Sequence, residues 1–138
     1  MIELAVVNNE KGAPPPVAAV VLAAGGSKRM GEAKQLLPID GQPMVRRVVQ
    51  AVCRSHLAQV VVVVGAEGGR VARALADLEA EVVHNQAWEQ GMSTSLRAGL
   101  GALRPEIEAV LLVLADQPGL TPRVLSAVVE AYRASRAP

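Results

Sequence analysis

Apolar residues follow two alternating patterns along this chain. Unbroken apolar runs, such as residues 17–24 and the valines from Val60 to Val64, are typical of strands that are buried on both faces of a sheet. Between these runs, apolar residues recur every three or four positions, which is the spacing of a helix with one buried face. The pattern predicts strands at residues 17–24, 59–65, 81–84 and 109–115, and helices at residues 41–53, 67–78, 94–103 and 121–135.

Residues at the predicted helix starts agree with this assignment. Pro43 and Pro122 lie where a first turn has no partner for its N–H groups, so proline costs little there. Ser93 and Thr121 are candidate N-cap residues, whose side-chain oxygens would accept hydrogen bonds from the first turn. Because strands and helices alternate throughout, we expect an α/β fold with three αβα layers and a mostly parallel, Rossmann-like sheet.

The domain boundary is predicted near residue 17. Residues 8–16 read Asn-Asn-Glu-Lys-Gly-Ala-Pro-Pro-Pro, and consecutive prolines favour an extended, solvated chain. We therefore expect residues 1–16 to be a flexible leader or linker, with residues 1–7 either disordered or the remnant of an upstream segment. Residues 17–138 are expected to form one domain around one core.

Composition argues against several classes of function. The net charge is +1 and the chain has one Trp, one Tyr and no Phe, whereas nucleic-acid binding usually needs a basic surface and aromatic platforms. No apolar run approaches the roughly 20 residues needed to cross a membrane. The single cysteine, Cys53, cannot form an internal disulfide, which fits a cytoplasmic protein. Its helical position favours a small packing residue over a reactive thiol.

Glycine and positive charge are concentrated after the first predicted strand. Residues 22–31 read Leu-Ala-Ala-Gly-Gly-Ser-Lys-Arg-Met-Gly, and Lys34 follows. Glycines let backbone N–H groups approach a phosphate, and cations can hold a triphosphate and stabilise a leaving pyrophosphate. The loop is not an ATPase P-loop, because Glu32 and Ala33 stand where Lys and Ser or Thr should follow. A solvated basic turn accounts for the same residues about equally well.

Asp116 follows the fourth predicted strand directly. In open parallel sheets, ligands bind at the carboxyl ends of the strands. A carboxylate there can hold Mg²⁺, which takes few protein ligands. Asp-Gln-Pro is also common turn chemistry, and taken alone Asp116 is better explained as a turn residue.

Other polar residues near this edge have structural explanations. Ser93 and Ser95 can be helix-capping residues, although such residues also bind phosphate or base. His84 is expected to be a surface histidine, and Trp88 a packing residue near the cleft rather than a platform for base stacking. The sequence contains neither a His/Cys cluster for zinc nor a Gly-x-Ser-x-Gly motif for acyl transfer.

Taken together, three motifs resemble those of the MobA-like nucleotidyltransferases. The motifs are residues 22–31 with Lys34, Leu36-Leu37-Pro38 and Gly41-x-Pro43; Gly91-Met-Ser-Thr-Ser-Leu96 with Arg97 and Gly99; and Leu114-Ala-Asp-Gln-Pro118. They occur in the family's order and cover the chain from about Val17 to Arg133. Within the family, they look most like the molybdenum cofactor cytidylyltransferases.

The resemblance implies Mg²⁺-dependent transfer of CMP from CTP to the terminal phosphate of the molybdenum–molybdopterin cofactor, with a molybdenum hydroxylase as a possible acceptor of the product. Arg29, Lys34 and Asp116 would be the catalytic residues: the first two would bind the triphosphate and Asp116 would bind Mg²⁺. Ser95 would lie near the base. The nucleotide would also lie against the loop residues Leu22, Ala23, Ala24, Gly25, Gly26 and Ser27. Relatives that use GTP tend to read Leu-Ala-Gly-Gly here, so Ala24 favours CTP.

The resemblance also implies that the family domain continues beyond residue 138. The further part would supply more strands, a second acidic metal ligand and much of the pterin-binding wall. Two other functions therefore stay open beside cytidylyl transfer. One is guanylyl transfer or transfer to another acceptor, and the other is a non-catalytic module that binds nucleotide or cofactor.

Overall fold

The computed structural model describes residues 2–6, 16–26, 28–29, 32–117 and 119–135. A five-stranded sheet forms its centre, and helices cover both faces. The strands are β1 Ile2–Val6, β2 Val17–Ala23, β3 Lys28–Arg29, β4 Glu32–Ala33, β5 Pro38–Ile39, β6 Gln42–Pro43, β7 Gln59–Val64, β8 Glu81–His84 and β9 Ala109–Leu114. The helices are α1 Met44–Cys53, α2 Gly68–Ala74, α3 Met92–Gly101 and α4 Pro122–Ser135, with short 3-10 helices at Lys34–Leu36 and Trp88–Gln90.

The central sheet has the strand order β1-β9-β2-β7-β8. Strands β9, β2, β7 and β8 are parallel to one another, whereas β1 is antiparallel to β9. Every residue of β7 is buried, as expected for a strand covered on both faces. Leu22 is paired with Leu114, so the loop after β2 and the turn after β9 leave the sheet side by side. This arrangement confirms the predicted α/β fold with its mostly parallel sheet.

Two apolar clusters lie on opposite faces of this sheet. The larger contains Val21 of β2 with residues of α1, α2 and α4, such as Val45 and Leu125. The smaller contains Val20, the next residue along β2, with partly buried residues of α3, such as Ala98. Because successive strand residues point to opposite faces, β2 contributes to both clusters and the fold has three layers.

The prediction of a flexible leader is wrong for Ile2–Val6. These residues form β1, whose backbone pairs with β9 from Ile2 opposite Val113 to Val6 opposite Ala109. Leu4 is partly buried against the larger cluster. Without β1, the backbone groups on that side of β9 would lack partners, which explains why a five-residue segment is ordered there. Of the predicted linker at residues 8–16, only Pro16 is among the described residues.

Helix ends differ from the predictions in α1, α2 and α3. Helix α1 begins at Met44 rather than at residue 41, so Pro43 is its N-cap and not a residue of its first turn. Helix α3 begins at Met92 with Gly91 as its N-cap, so Ser93 lies inside the first turn and is not the cap. Helix α2 ends at Ala74, shorter than its apolar pattern predicts. The start of α4 is as predicted, because the Val124 N–H donates to the Thr121 hydroxyl at 3.2 Å.

An ion pair joins α1 to the turn after α2. The Arg46 guanidinium donates to both carboxylate oxygens of Asp77, at 2.6 and 2.9 Å, and to the Ala74 carbonyl at 2.9 Å. These hydrogen bonds favour the charged carboxylate, so the pKa of Asp77 falls to about 2.

Candidate functional site

A cleft of about 320 Å³ opens at the carboxyl ends of β2 and β9. This volume lies within the range of small-molecule sites, and the position is where open parallel sheets bind ligands. The cleft is lined by residues from four segments of the chain: Leu22, Ala24, Gly25, Lys34, Gln35, Trp88, Met92, Ser95, Leu114, Ala115 and Asp116.

The first wall is the loop after β2, and Gln35 holds it in place. The Gln35 side-chain amide donates to the carbonyl oxygens of Ala23 and Gly25, both at 3.3 Å. Gln35 is 5% exposed, so these bonds replace water for groups that would otherwise be buried without partners. The burial of Gln35 is not predictable from the sequence, because a glutamine next to a lysine resembles an ordinary surface residue.

Lys34 and Asp116 meet across the cleft. The Lys34 ammonium lies 3.3 Å from a carboxylate oxygen of Asp116, and the two side chains are 42% and 39% exposed. They are far apart in sequence, and the side-by-side ends of β2 and β9 bring them together. Among the described residues, the cleft therefore presents the cation of Lys34 and the carboxylate of Asp116, both accessible to a ligand.

Another wall of the cleft is the start of α3, and Asn85 holds this part of the helix in place. Asn85 follows β8, is buried, and donates from its amide nitrogen to the hydroxyls of Thr94 and Ser95, both at 2.9 Å. Ser95 is 4% exposed and lines the cleft. This role of Asn85 is not predictable from the sequence, because a buried amide looks there like an ordinary surface residue.

Trp88 packs between the β2 loop and the start of α3. Its side chain lies over Gly26 and Gly65, where an added Cβ would come within 2.7 Å of it. Both positions need glycine, because any larger residue would displace the ring. Trp88 is partly buried against the smaller apolar cluster and also lines the cleft, which agrees with the prediction of a packing residue near the site.

The structure brings together six of the residues that sequence analysis selected: Leu22, Ala24, Gly25, Lys34, Ser95 and Asp116. Ala23 is buried at the end of β2, and Gly26 lies against Trp88 beside the cleft. The backbone of Arg29 lies in β3, paired with β4. The side chain of Arg29 and the whole of Ser27 lie outside the described residues.

Two further candidates lie away from the cleft. His84 is exposed at the end of β8, with its ring beside Gly68, as expected of a surface histidine. Cys53 is half-buried, and its thiol lies 3.7 Å from the Glu79 carbonyl. Burial raises the pKa of the Cys53 thiol and so keeps it neutral, which fits a packing role.

Among the described residues, no group of three or more His, Cys, Asp or Glu side chains is arranged to hold a metal ion. Of the carboxylates in the described ranges, Asp116 lines the cleft. Mg²⁺ bound with nucleotides usually takes one or two carboxylates together with phosphate oxygens of the substrate. Within the described part of the chain, no helix combines the length and hydropathy that crossing a membrane requires.

Residues 19–138 match the sequence model of the MobA-like NTP transferase domain. Nicotine blue oxidoreductase from Paenarthrobacter nicotinovorans is 36% identical over 111 residues, which cover 79% of this chain and 53% of that protein. The 3-deoxy-manno-octulosonate cytidylyltransferase from Synechococcus elongatus is 34% identical over 105 residues, covering 76% of this chain and 42% of that protein.

Among solved structures, Rv0371c from Mycobacterium tuberculosis H37Rv superimposes with a TM-score of 0.77 and 28% identity, covering 88% of this chain and 62% of that chain. A structure of the same protein in complex with manganese gives a TM-score of 0.71 and 27% identity, covering 86% of this chain and 60% of that chain. The chain thus spans about half the length of the curated relatives it matches.

Proposed function

The chain belongs to the MobA-like NTP transferase family, and from this membership we propose that its cleft binds CTP with Mg²⁺ and transfers CMP to the terminal phosphate of the molybdenum–molybdopterin cofactor. The observation that carries the proposal is the convergence of the β2 loop, Lys34, Ser95 and Asp116 on one cleft. This edge is where open parallel sheets bind ligands, and the three motifs supply it with a cation, a carboxylate and a buried hydroxyl.

CTP is favoured over GTP by the residue at the start of the loop. Ala24 lines the cleft, is 4% exposed and also packs in the smaller apolar cluster. Relatives that use GTP tend to have glycine at this position, so the alanine supports CTP. The cytidylyltransferase name of the Synechococcus elongatus relative supports the same choice.

Asp116 fits a Mg²⁺ ion that is shared with the nucleotide. The Asp116 carboxylate already lies beside the Lys34 ammonium, so it stabilises positive charge at this place in the cleft. The manganese complex of Rv0371C supports a divalent ion in a related protein. When bound, the ion would neutralise phosphate charge and polarise the α-phosphate.

The reaction would be an in-line displacement. An oxygen of the acceptor's terminal phosphate attacks the α-phosphorus of CTP, and a new phosphorus–oxygen bond forms as the bond to the β-phosphate breaks. Pyrophosphate leaves with the bonding electrons, and CMP stays on the acceptor. Lys34 would stabilise charge on the triphosphate, while Ser95 and the loop at Ala24 and Gly25 hold the nucleotide in line. Arg29 is proposed as a second cation for the triphosphate.

Pyrophosphate release tests this proposal. We expect release with CTP, Mg²⁺ and molybdenum–molybdopterin, and at least tenfold less without the acceptor, because the attacking phosphate is then absent. Release with GTP should also be at least tenfold lower, because a misfitted base removes more than about 1.4 kcal/mol of binding free energy. If release requires a sugar acid in place of the pterin, the proposed acceptor is wrong but the proposed nucleotide, CTP, stands. Binding of CTP and Mg²⁺ without any turnover would support the non-catalytic module.

A redox reaction is the competing function, because the name of the Paenarthrobacter nicotinovorans relative describes an oxidoreductase. The same protein preparation, supplied with NADPH or NADH and an oxidised dye, distinguishes the two. Oxidation of the dinucleotide without pyrophosphate release from any nucleoside triphosphate would contradict nucleotidyl transfer.

A further inference from the structure

The orientation of the Asn85 side chain is determined by its neighbours. The Ala87 N–H donates to the amide oxygen of Asn85 at 3.0 Å. An N–H cannot donate to an NH₂ group, so the oxygen must lie on that side. The amide nitrogen therefore faces the other way, towards the hydroxyls of Thr94 and Ser95.

The two hydroxyls that Asn85 contacts use their protons differently. The Thr94 oxygen lies 2.7 Å from the Gly91 carbonyl and 3.0 Å from the Ala87 carbonyl, so its proton is donated to the backbone. Ser95 accepts from Asn85, and the described part of the chain offers its proton no acceptor. Ser95 is 4% exposed and lines the cleft. The Ser95 O–H can therefore donate a hydrogen bond to a ligand in the cleft.

We propose that Asn85 is a positioning residue that makes Ser95 a hydrogen-bond donor into the cleft, so the ligand atom beside Ser95 must be an acceptor, such as a carbonyl oxygen or an unprotonated ring nitrogen. Resting on the proposed function, this selects the O2 and N3 side of cytosine and rejects an N–H at the same place. Because Ser95 is buried, leaving its O–H without an acceptor is costly, which is how such a contact discriminates between ligands.

Inverting the hydrogen-bonding character of residue 85 tests this. Asn85→Asp replaces the donating NH₂ with an acceptor, which would draw the Ser95 proton away from the cleft. We expect the Kd for CTP to rise about tenfold, the usual effect of one lost hydrogen bond. The Kd for inorganic tripolyphosphate, which lacks a base, should stay within about twofold.

Truncation distinguishes positioning from a merely structural role. Asn85→Ala removes the amide but leaves the Ser95 proton free, so it should weaken CTP binding less than Asn85→Asp does. A structural role predicts that truncation is at least as harmful. Ser95→Ala should match the loss in Asn85→Asp, and the double variant should lose no more than Ser95→Ala alone. Ser55→Ala, which removes a buried hydroxyl that donates to the Ala51 carbonyl and does not line the cleft, is the matched control and should keep CTP affinity.

Three outcomes would overturn the inference: an unchanged Kd for CTP in Asn85→Asp, an equal loss of tripolyphosphate binding, or full additivity with Ser95→Ala. If Asn85→Asp does not fold, as judged by circular dichroism, Asn85→Ala should weaken CTP binding less than Ser95→Ala does, and an equal or greater loss in Asn85→Ala would overturn the inference. A wild-type protein that binds tripolyphosphate but not CTP would instead overturn the proposed function, so the two failures are distinguishable.

Discussion

At the scale of single residues, the contact between Lys34 and Asp116 is central. Both side chains are about two-fifths exposed, and exposed ion pairs contribute only about 1 kcal/mol or less. Each charge is therefore available for exchange: the ammonium for a phosphate and the carboxylate for a metal ion. Without nucleotide, Lys34 and a metal ion compete for the same carboxylate, so the metal is expected to bind together with the triphosphate.

Replacing Lys34 should change the affinity for the nucleotide and the affinity for free metal ion in opposite directions. Lys34→Met should weaken binding of CTP with Mg²⁺ about tenfold or more, since a charge-assisted hydrogen bond contributes about 1.5–3 kcal/mol. The same change should strengthen binding of Mn²⁺ alone, because Asp116 loses its competing cation. Calorimetry measures the first, and electron paramagnetic resonance of free Mn²⁺ measures the second.

Controls for this experiment lie on the same protein. Asp116→Asn should remove the dependence of CTP binding on divalent metal, whereas Arg123→Met, an exposed cation on α4, should change neither quantity. Weaker Mn²⁺ binding in Lys34→Met would contradict the competition.

At the scale of elements, α3 lies unusually close to the sheet. A Cβ on Gly99 would come within 2.5 Å of Val20 and 3.1 Å of Val63, so glycine alone allows this approach. Ser95 lies one turn earlier on the same helix, and the position of the Ser95 hydroxyl in the cleft depends on this packing.

Gly99→Ala should therefore destabilise the fold and weaken nucleotide binding together. Overpacking against β2 is expected to cost about 1–3 kcal/mol in the free energy of unfolding, measured by urea denaturation. Gly101→Ala is the matched control, because its Cβ meets nothing within 4 Å and alanine favours the helix by up to about 1 kcal/mol. Equal stability of the two variants would show that α3 can move away from the sheet without cost.

Patterns along the chain predict elements better than they predict contacts. The valines of β7 and the periodic apolar residues of α1 are predictable, because burial on two faces or on one face dictates the residue types. Strand β1 was missed, since five residues that pair with a distant strand carry no local sign of that partner. Gln35 and Asn85 were missed for a related reason: in sequence, a buried amide looks like an ordinary surface residue.

At the scale of the whole molecule, the carboxyl edge of one sheet holds every described part of the site. Strands β2 and β9 are neighbours, and α3 packs on both β2 and β7, so the described parts of the three motifs meet at this edge. The chain spans about half the length of the curated relatives it matches. Nucleotide binding is therefore the step of the proposed reaction to test first with these elements.

Calorimetric titration of the protein with CTP and with GTP, each with and without Mg²⁺, tests this central claim most directly. We expect saturable binding of CTP that requires Mg²⁺, with GTP at least tenfold weaker because the loop has Ala24 where GTP-using relatives tend to have glycine. Tighter binding of GTP, or no binding of either nucleotide in the presence of Mg²⁺, would contradict it.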